Sequence, residues 1–166
     1  MRISLIISLF LFAISTQARA DVNVVTSIKP VHSLVSAVMK GTKAPYLIVK
    51  ASHSPHSYNM KPSDARALRK ADLIFWVGDE LETFLQKPIK SLGKNSKKVE
   101  LIKTHGLDLL DFRRGKDWQH HEKKKHDHEH SHGSNRDIHI WLNPKNAERI
   151  VEQVVRYLVE KDPKNA

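Results

Sequence analysis

The chain has 166 residues, with 28 Lys and Arg against 18 Asp and Glu for a formal net charge of +10, 40% apolar residues and no cysteine. That apolar content over that length supports one domain with a hydrophobic core and excludes a disordered chain, while the lack of cysteine excludes disulfides and a lipid anchor on an N-terminal cysteine. The basic residues are spread over polar helix faces and one loop, with the densest run at Lys123, Lys124 and Lys125 beside acids and histidines, so the charge reads as solvated surface and no nucleic-acid partner is expected.

In chain order, residues 1–20 read as an export signal. Arg2 gives a positive start, residues 3–14 are apolar apart from Ser4 and Ser8, and Ala18-Arg19-Ala20 has the small-x-small form of a cleavage site. The apolar run is well short of the roughly 20 residues a spanning helix needs. Cleavage after Ala20 is expected, and loss of Arg2 and Arg19 leaves a mature chain at +8.

Residues 22–27, VNVVTS, read as a strand, and Val31, Leu34, Val35 and Val38 follow at helical spacing up to Gly41. Residues 46–49 repeat the strand signal and lead into a polar loop, SHSPHS, with two histidines around Pro55. Pro62, Ser63 and Asp64 open a second helix carrying Ala65, Leu68 and Arg69, and residues 71–78, ADLIFWVG, read as a continuous apolar strand. A third helix is expected over residues 80–92, with Leu81, Phe84, Leu85, Ile89 and Leu92 as its stripe and Gly93 as its stop. Residues 97–102 supply another strand.

Regularity stops at residues 104–136, where the stretch WQHHEKKKHDHEHSHGSN holds almost nothing apolar, and resumes with DIHIWLNP at 137–144. There Ile138, Ile140 and Leu142 alternate with His139 and Trp141, predicting a strand, and Asn143-Pro144 form an N-cap and first helical position. Ile150, Val151, Val154, Val155 and Leu158 give the last helix its buried stripe, and Asp162-Pro163 end it. Alternating strands and helices with short connections predict an α/β fold, a three-layer parallel sheet with helices on both faces and right-handed crossovers. Ligands of such a sheet lie at the carboxyl ends of its strands.

His56 sits in the proline-braced loop after a strand, where such a sheet presents ligands. Neutral imidazole is the commonest side-chain ligand of borderline divalent metals, and Zn²⁺ takes nitrogen donors in a tetrahedral shell. His56 and His139 are therefore candidate metal ligands, with His53 as a spare in the same loop. A solvent-facing loop histidine at 56 and a half-buried structural histidine at 139 fit the spacing equally well. The segment WQHHEKKKHDHEHSHGSN adds His120, His121, His126, His128, His130 and His132. Four of these alternate along the chain, with Asp127 and Glu129 among them, so a flexible chain can wrap imidazoles and carboxylates around one ion without a preformed site. An inert polar insertion does not require that composition, and auxiliary metal capture by these six histidines is expected. A metallohydrolase built on His56 and His139 would need a carboxylate base beside an open metal position, and no HExxH or comparable pairing is present.

Three blocks, TSIKPVHSLVSAVMKG, SPHSYNMKPSDARALRKADLIFWVGDELETFLQKPI and DIHIWLNP, with a His/Asp/Glu-rich insertion before the last, resemble in order the periplasmic zinc-binding component of the high-affinity zinc ABC importer. That family lies within the metal-binding solute-binding proteins, some of which serve manganese. The resemblance implies a periplasmic monomer that binds Zn²⁺ and delivers it to an inner-membrane ABC permease, without catalysis. It matches His56 and His139 to the first two zinc ligands and residues 116–135 to the charged loop of the zinc branch. Where some zinc members carry a glutamate before the first ligand, this chain has Pro55. The resemblance further implies one lobe, residues 21–166, of a two-lobed protein whose second lobe supplies the remaining ligands. A manganese-binding relative and a surface adhesion or partner-binding role are the rival readings, and nothing in the segment specifically supports adhesion.

Overall fold

The structure is a computed structural model, and it describes residues 21–50, 53–111 and 136–166. The export signal and the histidine-rich segment, with His120, His121, His126, His128, His130 and His132, lie outside the described residues.

Four strands, β1 (Val24–Thr26), β2 (Tyr46–Leu47), β3 (Leu73–Trp76) and β4 (Lys97–Glu100), form one parallel sheet in the order β2-β1-β3-β4. Four α-helices accompany them: α1 (Lys29–Val38), α2 (Pro62–Lys70), α3 (Gln86–Leu92) and α4 (Pro144–Lys161). Every residue of β1 and β3 is buried, which requires cover on both faces of the sheet. The helices supply it in two pairs, α1 against α4 and α2 against α3. Phe75, Ile74, Ile48, Leu68, Leu85 and Ile150 are fully enclosed between these layers, each contributing about 1.5–3 kcal/mol by removal from water.

The chain leaves β1 toward β2 on one side and leaves β3 toward β4 on the other, so the connections diverge between β1 and β3. A crevice opens at the carboxyl ends of strands where connections diverge in this way. The β2 direction carries on past Leu47, since Ile48 and Val49 donate their N–H groups to the carbonyls of Thr26 and Ser27 at 3.0 and 2.8 Å. This places the histidine loop that follows at the same edge.

Three sequence expectations need correction. The third helix does not start at residue 80; a 3₁₀ turn at Thr83–Leu85 precedes α3. Pro88 explains the shift, because proline is accommodated in the first turn of a helix and disrupts its interior. Glu82, fully buried, turns inward and accepts the N–H groups of Val77 and Gly78 at 3.1 and 2.9 Å, with burial pushing its carboxyl above the usual range.

Residues 137–144 are not a strand. Arg136 makes a single antiparallel bridge with Asp111, Ile140–Leu142 form a 3₁₀ turn, and only then does α4 begin. Alternating apolar residues suit that turn too, since Ile140 is buried while Leu142 is exposed. Asn143 caps α4 as expected, accepting from Lys145 N–H at 3.0 Å.

In α4, Ile150 and Val154 are fully buried but Val155 is 40% exposed, so the apolar stripe is narrower than its sequence suggests.

Between β2 and α2, buried Asp64 accepts the Tyr46 and Tyr58 hydroxyls at 2.8 and 2.9 Å and reaches back to Lys61 N–H at 2.7 Å. Burial first, and then the hydrogen bond to Asp64, push the Tyr58 phenol up to about 12. Because the folded-state value lies above the free phenol's, Tyr58 contributes stability that is fully present below pH ~10 and lost as pH rises from there through about 12. Denaturant unfolding of the metal-free protein across pH 9–12 is expected to show this alkaline loss, and Tyr58→Phe is expected to remove that component.

Candidate metal centre

The crevice at the strand ends is an open cleft of about 620 Å³. Its walls come from the β1–α1 turn (Ile28, Lys29, Pro30), the end of the β2 run (Val49, Lys50), the histidine loop (His53, Pro55, His56) and the 139–141 turn (His139, Trp141). The first two loops meet here because their strands run in one direction, and the 139–141 turn is brought to the same edge at the start of α4.

His56 lies in the 3₁₀ turn Pro55–Ser57, where Pro55 fixes the entry angle and the Ser54 hydroxyl accepts the His56 N–H at 3.3 Å. His139 caps the Ile140–Leu142 turn, with Leu142 N–H donating to its carbonyl at 3.0 Å. The centroids of the two rings stand 6.4 Å apart, tilted by 57°. A tetrahedral zinc ion about 2.0–2.1 Å from each nitrogen would hold two ring centroids about 5 Å apart. The observed spacing is wider by about an ångström, within reach of small side-chain rotations. His56 is exposed and His139 half-buried, so both rings are open to the cleft. His53 lines the same cleft but packs edge-on against Tyr58 at 5.6 Å. Among the described residues no three His, Asp or Glu side chains are gathered closely enough to hold an ion.

Two supports were not read from the sequence. Asp137 accepts both the His139 backbone N–H at 2.9 Å and its ring Nδ1 at 2.7 Å. A carboxylate can only accept, so Nδ1 carries the proton and Nε2 keeps its lone pair for an ion. The His139 backbone N–H, and then its ring N–H, hold the Asp137 carboxyl below the ordinary carboxylate value. The D-x-H spacing in DIH was the available signal. Buried Asn146, one turn into α4, bonds the backbone N–H and carbonyl of Asp108 at 2.8 and 2.9 Å. With Asp137 N–H donating to the Leu110 carbonyl at 2.7 Å, this ties the His139 segment to residues 108–111. That link spans 38 positions in the chain and left no local pattern to read.

The chain is thus an α/β lobe with two imidazoles facing one another at the edge where a parallel sheet presents ligands. The family model described as periplasmic zinc-uptake complex component A (ZnuA) matches residues 24–166, and the chain belongs to that family. It is 40% identical over 179 aligned positions to the high-affinity zinc uptake system protein ZnuA of Brucella abortus, covering 93% of this chain and 54% of that protein. The protein of the same description from Haemophilus ducreyi is 38% identical, covering 97% of this chain and 55% of its own length. Among solved structures, the Mn-bound periplasmic metal binding protein of Candidatus Liberibacter asiaticus shares the fold, with a TM-score of 0.66 and 24% identity over 87% of this chain and 47% of that one. The chain spans about half the length of the curated relatives it matches.

Asp137→Asn is expected to release the His139 tautomer, so that histidine ¹⁵N spectra of the metal-free protein show mixed Nδ1–H and Nε2–H forms. In a metal titration of the same variant, affinity should fall by roughly 10–100-fold, the usual cost of losing an outer-shell partner.

Proposed function

We propose that the chain binds Zn²⁺ in the periplasm between His56 and His139 and passes it to an inner-membrane ABC permease, acting as a monomer after removal of its leader at Ala20, with no nucleic-acid partner and no catalytic step. The observation that carries this reading is the 6.4 Å approach of two imidazoles from loops 83 positions apart, at the ligand-binding edge of the sheet. Membership in a zinc-uptake family supports the choice of ion, as does the donor chemistry, since imidazole suits zinc while carboxylate and carbonyl oxygen suit manganese.

Two nitrogens fill half of a tetrahedral shell, leaving positions for water, His53 or a histidine of the 116–135 segment. The flanks of that segment meet at the Asp111–Arg136 bridge, three residues from His139. The histidines of that segment serve in this reading as weaker auxiliary donors. Ions held there exchange faster than an ion held between oriented rings.

Calorimetric zinc titration tests the assignment. His56→Ala and His139→Ala are each expected to weaken the tight site by more than the roughly 10–100-fold of an outer-shell loss. Deletion of residues 119–132 is expected to lower the number of ions bound more than the tightest affinity. Loss of all binding on that deletion, with both alanine variants unaffected, would move the site out of the cleft.

A further inference from the structure

Several hydrogen bonds around His56 are local: Ser54 accepts its N–H, Ser57 N–H reaches the Ser54 carbonyl at 3.4 Å, and His53 N–H reaches the Lys50 carbonyl at 3.0 Å. These shape the turn, and its place against the sheet needs a longer-range contact. That placement falls to Tyr58, two residues beyond His56 and only 6% exposed. Its ring packs edge-on against Phe84 at 5.1 Å on one side and against His53 at 5.6 Å on another. Its hydroxyl ends on Asp64, a carboxylate 2% exposed that also accepts Tyr46 from β2 and Lys61 N–H from the start of α2.

We infer that Tyr58, through its hydrogen bond to buried Asp64, is a positioning residue for zinc capture: it fixes the histidine loop against β2 and α2 so that His56 faces His139. This inference rests on the zinc reading above. A buried carboxylate has a strong requirement for donors, and here one donor comes from the loop itself. Loss of that donor leaves the His56 and His139 rings in place chemically but lets their separation vary. An ion that needs both nitrogens at once is then bound less tightly, because the loop must be ordered on binding.

Tyr46 supplies a built-in comparison. It donates to the same carboxylate at nearly the same distance, but from β2 rather than from the histidine loop. Tyr58→Phe and Tyr46→Phe each delete one hydroxyl and keep the ring, including the Tyr58 contacts with His53 and Phe84. Both are expected to lower the melting temperature. Tyr58→Phe is expected to weaken tight zinc binding by roughly tenfold or more, in the range of outer-shell losses. Tyr46→Phe loosens Asp64 from β2 but keeps the loop's own hydroxyl bond, so its effect on affinity should be smaller than that of Tyr58→Phe.

A second measurement needs no metal. Ring proton shifts and linewidths of His53 and His56 in the metal-free protein should change more in Tyr58→Phe than in Tyr46→Phe. Equal effects of the two variants on affinity, or no effect of either, would overturn the positioning role. His56→Ala separates that failure from failure of the zinc reading: if it abolishes tight binding while the two phenylalanine variants match, only the role of Tyr58 is lost. Tight binding that survives His56→Ala removes the underlying site as well.

Discussion

Parallel pairing of β1 with β3, buried on both faces, is the constraint on which the rest of the molecule depends. Because both strands point the same way, and β2 and β4 join them in register, every strand delivers its following loop to one edge. The connections part between β1 and β3, so helices cannot close over that edge and a cleft remains. The chemistry of the site is then a matter of which side chains those loops carry. Here the loop after β2 carries His53 and His56, and the turn that precedes α4 adds His139.

The two candidate ligands are anchored by the same device in different settings. Each depends on a carboxylate, which can only accept and therefore fixes the donors around it. Asp137 does this at short range, taking the backbone and ring N–H groups of the histidine two residues ahead. Asp64 does it across elements, joining β2, the loop and the start of α2 through three donors. One sets the tautomer of a ring, and the other sets the location of a loop. The division follows from exposure: Asp137 is half-exposed and affects its neighbours alone, whereas buried Asp64 must be satisfied by whatever surrounds it. The His139 segment gains its own placement from Asn146, whose amide holds the Asp108 backbone to α4. The cleft is therefore braced from both walls by buried polar groups, while its floor is apolar.

The departures from the sequence expectations share a physical cause. Residues 137–144 alternate between apolar and polar, which suits a strand, but alternation over so few residues also fits a 3₁₀ turn with one residue buried. Helix α3 was expected too early because the apolar spacing continues back through Leu81, whereas Pro88 decides where the helix can begin. The stripe on α4 is narrower than its spacing suggests, since Ile150 and Val154 are fully buried while Val151 and Leu158 are half-buried and Val155 is exposed. In each case the periodicity reported apolar side chains correctly and left their partners unspecified.

By itself the amino-acid sequence determined the α/β class, the order of the first four strands and of the helices, the cap at Asn143 and the two histidines worth testing, because these depend on local spacing and on residue chemistry. His56 and His139 could be named from the sequence as donors at strand ends, but not as neighbours. Only the tertiary structure decided that their rings lie 6.4 Å apart and that Asp64 and Asn146 hold the segments that carry them. Those contacts join elements whose separation in space is fixed by sheet register and helix packing, quantities to which no short stretch of chain is sensitive.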